Sequence, residues 1–190
     1  MLDVAEVAGR IELVQGPLGA GKTTFAARLA RKIHRLYGLQ LVSNALLGPD
    51  WAHCSGWSHM SEFRDAVVLL DEVHLTIPSD RTLSTTAMVR EAVEALTYVR
   101  KRRQVVIGTA QRWSSVAPIY RELGTRFVTV RPWMRGRLHM AFEVPQDHLR
   151  RAHHNQGRML FSLFDPRKSR IDTFAEVTPW WSFSAAFDGR

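Results

Sequence analysis

The chain of 190 residues is 45% hydrophobic and 23% charged, long enough to bury one core and too apolar for a disordered, collagen-like or disulfide-scaffold chain. A single cysteine, Cys54, excludes an internal disulfide and suits a reducing compartment. The formal charge of +8 is unevenly spread: residues 1–99 carry nine Lys and Arg against eleven Asp and Glu, whereas residues 100–190 carry seventeen against seven.

In chain order, Ile11-Glu12-Leu13-Val14 reads as a first strand that runs into a glycine-rich turn. From Thr23 the apolar residues Ala26, Leu29, Ala30, Ile33 and Tyr37 recur at helical spacing until Gly38, a natural helix stop. Residues 39–42 form a second strand, and the aperiodic stretch 44–61 reads as loop with room for one short helix. Val67-Val68-Leu69-Leu70 is uninterrupted apolar β sequence, as expected of a strand buried on both faces of a parallel sheet. A helix with an apolar stripe of Val89, Ala92, Val93, Leu96 and Val99 follows and ends in Arg100-Lys101-Arg102-Arg103. Residues 105–107 form the next buried strand, 116–123 a short helix and 126–130 another strand. This alternation predicts a parallel sheet with helices on both faces.

After Pro132 the texture changes. Residues 133–144, with Arg135-Gly136-Arg137 in the middle, read as a hairpin, residues 159–164 and 171–177 as a second strand pair, and the tail is aromatic. The expected division is a core over residues 1–132 and a basic, β-hairpin-rich extension over 133–190 packed on the same domain. No apolar run approaches the ~20 residues of a membrane span, and the N-terminus lacks a signal-like core. The expectation is a soluble protein of the cytoplasm or of a virion.

Gly16-Pro17-Leu18-Gly19-Ala20-Gly21-Lys22-Thr23 matches the phosphate-binding pattern G-x-x-x-x-G-K-[ST] at every fixed position, between a strand and a helix. Its backbone N–H groups, with that of Thr24, are expected to curl around the phosphates of ATP. Lys22 bridges the β- and γ-phosphates, and the Thr23 hydroxyl ligates Mg²⁺. Asp71-Glu72 directly follows the buried strand 67–70. At that carboxyl edge Asp71 can hold the Mg²⁺ shell, and Glu72 can take a proton from an attacking water, which favours hydrolysis over phosphoryl transfer to another acceptor. Gln111 stands just past the strand 105–107, where a polar amide can contact the γ-phosphate or its water. His53, Cys54 and His59 lack a fourth ligand and paired spacing, and so fall short of a zinc site.

Residues 102–112 and 124–128, together with the glycine-rich loop and Asp71-Glu72, resemble the FtsK–HerA superfamily of DNA-pumping P-loop ATPases. The resemblance spans residues 10–131, and in size the chain is similar to the minimal members that package genomes into tailless icosahedral viruses. It implies a homo-oligomer, usually a hexameric ring, driving sequence-independent translocation of double-stranded DNA, with a capsid or portal component as a further partner. It also implies an arginine delivered to the neighbouring subunit's site, for which Arg100, Arg102 and Arg103 are the candidates, with Arg126 as an outsider. The basic half, with Arg131, Arg135, Arg137, Arg150, Arg151, Arg158, Arg167, Lys168 and Arg170, is where DNA phosphates would be met. A Zot-like assembly ATPase of phage or conjugation shares this core but normally carries a membrane segment. A small-molecule P-loop kinase shares only the loop, and would require an Arg-rich lid and an acceptor pocket.

Overall fold

The runs read as buried strands join side by side in a computed structural model, which describes residues 2–76, 87–133, 138–144 and 158–164, the last by backbone alone. Eight strands form one sheet: β1 (Ile11–Gln15), β2 (Gln40–Ser43), β3 (Ala52–His53), β4 (Ala66–Leu70), β5 (Val105–Ala110), β6 (Arg126–Trp133), β7 (Leu138–Val144) and β8 (Arg158–Phe164). Their spatial order is β3-β2-β4-β5-β1-β6-β7-β8. The first five neighbouring pairs in this order are parallel and the last two antiparallel. The helices are α1 (Lys22–Tyr37), α2 (Trp57–Met60), α3 (Val73–Thr76), α4 (Ala87–Thr97) and α5 (Pro118–Leu123).

Strand periodicity divides the core. Val67, Leu69, Val105 and Ile107 face a layer with Phe25, Ala26, Ala30 and Ile33 of α1. Val68, Leu70 and Val106 face Trp57, Met60, Ala92, Leu96 and Tyr120 of α2, α4 and α5. Side chains of successive strand residues point to opposite faces, so an unbroken apolar run is what a strand covered on both sides requires. Helix α1 ends where Gly38 adopts φ 72° and its N–H donates to the His34 carbonyl at 2.8 Å, a left-handed stop that glycine reaches without penalty.

Two expectations are corrected. The stretch 44–61 contains the short helix but also strand β3, whose two residues are too few to leave a periodic signal. The segments 126–130 and 133–144 are not a strand followed by a separate hairpin. Strand β6 continues through Pro132 to Trp133 and is itself the first arm, paired with β7 from Phe127↔Val144 to Trp133↔Leu138. Its pairing with β1 ends at Gln15↔Thr129, so among the described residues β6 has a partner at Pro132 on one side alone, a position in which a missing N–H is tolerated. Residues 158–164 add to β7, and the expected pairing of 159–164 with 171–177 lies outside the described residues.

One buried charge ties the amino end of this sheet together. Glu12 on β1 is 1% exposed and accepts from Arg126 at 3.2 Å, while Arg126 also faces Glu143 on β7 at 3.3 Å. Burial raises the Glu12 carboxyl above its usual range and Arg126 pulls it back down. Arg126, the outsider among the arginines proposed to act on a neighbour, is therefore committed within its own chain. Replacing it by Leu leaves Glu12 buried without its cation and should cost about 3 kcal/mol, read as a lower urea midpoint. Because the Glu12 carboxyl then titrates still further above its unfolded value, the deficit should be smallest in acid and grow as pH rises through the raised value. Adding Glu12→Gln should recover much of the loss.

Candidate functional site

The loop between β1 and α1 is set by its glycines. Gly19 and Gly21 adopt φ 72° and 79°, values that side chains with a Cβ rarely take. Gly16 needs the absence of a side chain for another reason: a Cβ there would come within 2.3 Å of the Val130 carbonyl oxygen on β6. Helix α1 opens at Gly21 with no side-chain cap, so its first amides stay available to an anion. Lys22 is buried and folds across the loop, its Nζ donating to the Pro17 carbonyl at 3.3 Å. Pro17, Leu18 and Gly19 are exposed, Ala20 is buried, and the Thr24 hydroxyl is buried without a hydrogen-bond partner among the described residues.

The sheet brings Asp71 to this loop. Asp71 follows β4 and is 4% exposed. Its carboxylate accepts from the Thr23 hydroxyl at 2.9 and 3.1 Å and from the Thr109 hydroxyl at 2.5 Å. Its backbone is clamped by one side chain: Asn44 Nδ2 donates to the Asp71 carbonyl at 3.0 Å, and Asn44 Oδ1 accepts from the Asp71 N–H at 2.6 Å. Burial pushes the Asp71 carboxyl up, and the Thr109 and Thr23 hydroxyls with the Lys22 charge oppose that shift. Two oxygen donors of this type, the Thr23 hydroxyl and the Asp71 carboxylate, are what a hard divalent cation such as Mg²⁺ takes.

Glu72 is held in a conformation that costs energy. Its φ of 52° lies in the left-handed region, rare for a residue with a side chain. Two contacts fix it there: its N–H donates to Thr109 Oγ1 at 3.0 Å, and its carbonyl accepts from the Leu75 N–H at 2.9 Å. Burial and the adjacent Asp71 raise its carboxyl, and Lys22 lowers it. His74 Nδ1 lies 3.1 Å from Glu72 Oε2. A carboxylate with raised proton affinity beside a phosphate-binding loop has the character of a general base.

Gln111 is exposed, one residue beyond β5, whose last carbonyl, that of Ala110, accepts from the Gly16 N–H at 3.3 Å. The segment behind it is pinned to β1, since the Trp113 N–H donates to Gln15 Oε1 at 3.1 Å. Lys22, Thr23, Asp71, Glu72 and Gln111 thus gather at the carboxyl edge of the sheet.

Arg100, Arg102 and Arg103 precede β5 and lie at the opposite, amino edge, about 20 Å away by the rise of its six residues. Arg103 pairs with Asp65 at 3.0 Å, Arg102 reaches the Ala95 carbonyl at 3.4 Å and the Tyr98 ring, and the Arg100 stem packs over Gly9. Of the basic residues expected to meet DNA, Arg131 is exposed on β6 and Arg158 is described by its backbone alone. Arg135, Arg137, Arg150, Arg151, Arg167, Lys168 and Arg170 lie outside the described residues. His59 accepts from the Ser55 N–H at 3.2 Å, and burial pushes the Cys54 thiol up to about 11. Among the described residues no group of three or more His, Cys, Asp and Glu is placed to hold a metal, and no helix is long and apolar enough to cross a membrane.

Sequence reasoning missed Asn44 and Thr109. Each sits at the carboxyl end of a strand that neighbours β4, and that position is the one signal that could have singled them out.

The model of the ATPase family associated with various cellular activities (AAA) matches residues 13–132. No curated protein matches the sequence. Among solved structures, the N-terminal domain of zonular occludens toxin from Neisseria meningitidis is similar with a TM-score of 0.57 at 14% identity, over 83% of this chain and 95% of that one. The genome-packaging NTPase of Sulfolobus turreted icosahedral virus 2, in complex with ATP-gammaS, is similar with a TM-score of 0.52 at 10% identity, over 72% and 93%. The flagellar accessory protein FlaH of Methanocaldococcus jannaschii is similar with a TM-score of 0.52 at 12% identity, over 72% and 78%.

Thr109 offers the sharpest test of this geometry. Thr109→Val keeps the shape but removes the donor to Asp71 and the acceptor of the Glu72 N–H. The variant should lose about 1–3 kcal/mol of stability. Its ATP turnover should fall about tenfold to a hundredfold while ADP still binds, as measured by denaturant titration and steady-state hydrolysis.

Proposed function

The chain belongs to the ATPase family associated with various cellular activities, and from that premise we propose that it works as a homo-oligomeric ring, usually hexameric in proteins it resembles, coupling ATP hydrolysis to the movement of double-stranded DNA. Packaging of a viral genome is the task that fits best, in the host cytoplasm or in association with a virion, with a capsid or portal component as partner.

The observation that carries this reading is the place of β5. It stands between β1, which leads into the phosphate-binding loop, and β4, which leads into Asp71 and Glu72. The end of β5 is bonded to both: Thr109 to Asp71 and Glu72, and Ala110 to Gly16. A change at the γ-phosphate is therefore felt by a strand whose other end enters from the basic turn Arg100-Lys101-Arg102-Arg103 on the far edge. An arginine that serves a neighbouring copy has to lie away from its own site, and these three do. A guanidinium arriving there would stabilise charge developing on the transferred phosphoryl group.

In the cis site Lys22 and the loop amides hold the phosphates, Thr23 and Asp71 would hold Mg²⁺, and Glu72 takes the proton of the attacking water. Bound Mg²⁺ would neutralise charge on the β- and γ-phosphate oxygens. Gln111 stands where it can orient that water. The genome-packaging NTPase among the similar structures supports the motor reading. The zonular occludens toxin domain, with its higher TM-score and wider coverage, favours a second one, a Zot-like assembly ATPase built on the same hydrolytic site.

Glu72→Gln should lower turnover by about 10²–10⁴-fold and leave ATP binding intact; hydrolysis at the wild-type rate would refute the assignment of the base. Duplex DNA should stimulate the wild-type ATPase at low salt, with the stimulation falling as salt rises. A ring whose hydrolysis ignores duplex DNA would favour the assembly reading, and a monomer that ignores it would rule out the motor.

A further inference from the structure

Strand β7 sends one buried polar side chain against the phosphate-binding loop. His139 is 2% exposed, and its Nδ1 is hydrogen-bonded to the carbonyl oxygen of Ala20, 119 residues earlier in the chain. A carbonyl oxygen can only accept, so Nδ1 carries the hydrogen of this bond and donates it.

Ala20 lies between Gly19 and Gly21, both in left-handed conformations. The peptide that joins it to Gly21 is planar and trans, so the Ala20 C=O and the Gly21 N–H point in opposite directions. Drawing the carbonyl toward β7 therefore turns the Gly21 N–H away from β7. That N–H has no hydrogen-bond partner among the described residues, and it belongs to the residue at which α1 opens. An amide left unpaired at a helix start, its direction fixed from behind, is ready to donate to an anion.

The loop rests on the same strand pair at its other end, where Gly16 packs against the Val130 carbonyl of β6. Val130 pairs with Ala141, two residues from His139. The β6–β7 ladder thus supports the loop at its first glycine and just before its last.

The structure assigns His139 as a positioning residue for nucleotide binding, which acts through the Ala20 carbonyl to aim the Gly21 amide at a phosphate. The assignment rests on the reading of residues 16–23 as a phosphate cradle. Since its effect lies on binding, it should change the KM for ATP more than kcat.

Four variants test it by equilibrium titration with ADP, steady-state ATP hydrolysis and thermal melting. His139→Leu should weaken ADP binding about tenfold and raise KM for ATP by a similar factor, with kcat within about threefold of the wild type. His139→Asn, whose amide nitrogen can take the place of Nδ1, should bind ADP within about threefold of the wild type. His139→Gln, polar but with its amide where Nε2 stood, should lose affinity as Leu does. Lys22→Ala serves as the reference for the loop itself. Wild-type binding by His139→Leu alongside loss in Lys22→Ala overturns the assignment alone, whereas wild-type binding by both overturns the reading of the loop on which it rests. Equal loss in the Asn and Leu variants, or unfolding of both, makes the imidazole a structural support and also overturns the assignment.

Discussion

A carboxylate that is 4% exposed has to be surrounded by donors, and satisfying Asp71 organises the rest of this molecule. Thr23 comes from the start of α1, Thr109 from β5, and Asn44 from the end of β2. Each of these elements flanks β4 or packs on it, so the sheet order is the condition under which the three side chains converge. The interposed strand matters most. Without β5 between β4 and β1, the shortest bond to Asp71 would have no source, and neither would the acceptor that fixes the Glu72 amide.

The same arrangement concentrates strain at one residue. Glu72 is held in the left-handed region by contacts on both sides of its backbone, a placement that surrounding structure must over-determine to persist. Among the described residues two other non-glycine residues have positive φ, Asp65 and Arg103, and they pair with each other at 3.0 Å in the turns that lead into β4 and β5. Strain and charge thus occur at both edges of one strand pair. The carboxyl edge holds the groups suited to hydrolysis, and the amino edge holds arginines placed away from their own site.

On the other side of β1 the β6–β7 pair reaches the site by two routes. Its amino end is tied through Arg126 to Glu12, at the base of the strand that leads into the phosphate-binding loop. Farther along, Val130 and His139 touch the loop directly. Strand β7, which by sequence belongs to the extension over residues 133–190, is part of what shapes the nucleotide cradle.

Much of this was legible in the sequence because the signals are local. The loop at residues 16–23, the buried run 67–70 with Asp71 and Glu72 behind it, and the alternation of strands and helices depend on period and spacing within short windows, and they determined an α/β P-loop ATPase before any contact was known. Asn44, Thr109, Glu12 and His139 carried no such signal, because an isolated polar residue at a strand end or inside a strand is compatible with many environments. Their roles were decided by partners 27 to 119 residues away along the chain. The continuation of β6 through Pro132 was decided the same way, since whether a missing N–H matters depends on which edge of the strand has a neighbour. Local chemistry wrote the motif into the sequence, whereas the set of groups that hold it in shape exists only where the sheet brings its strand ends together.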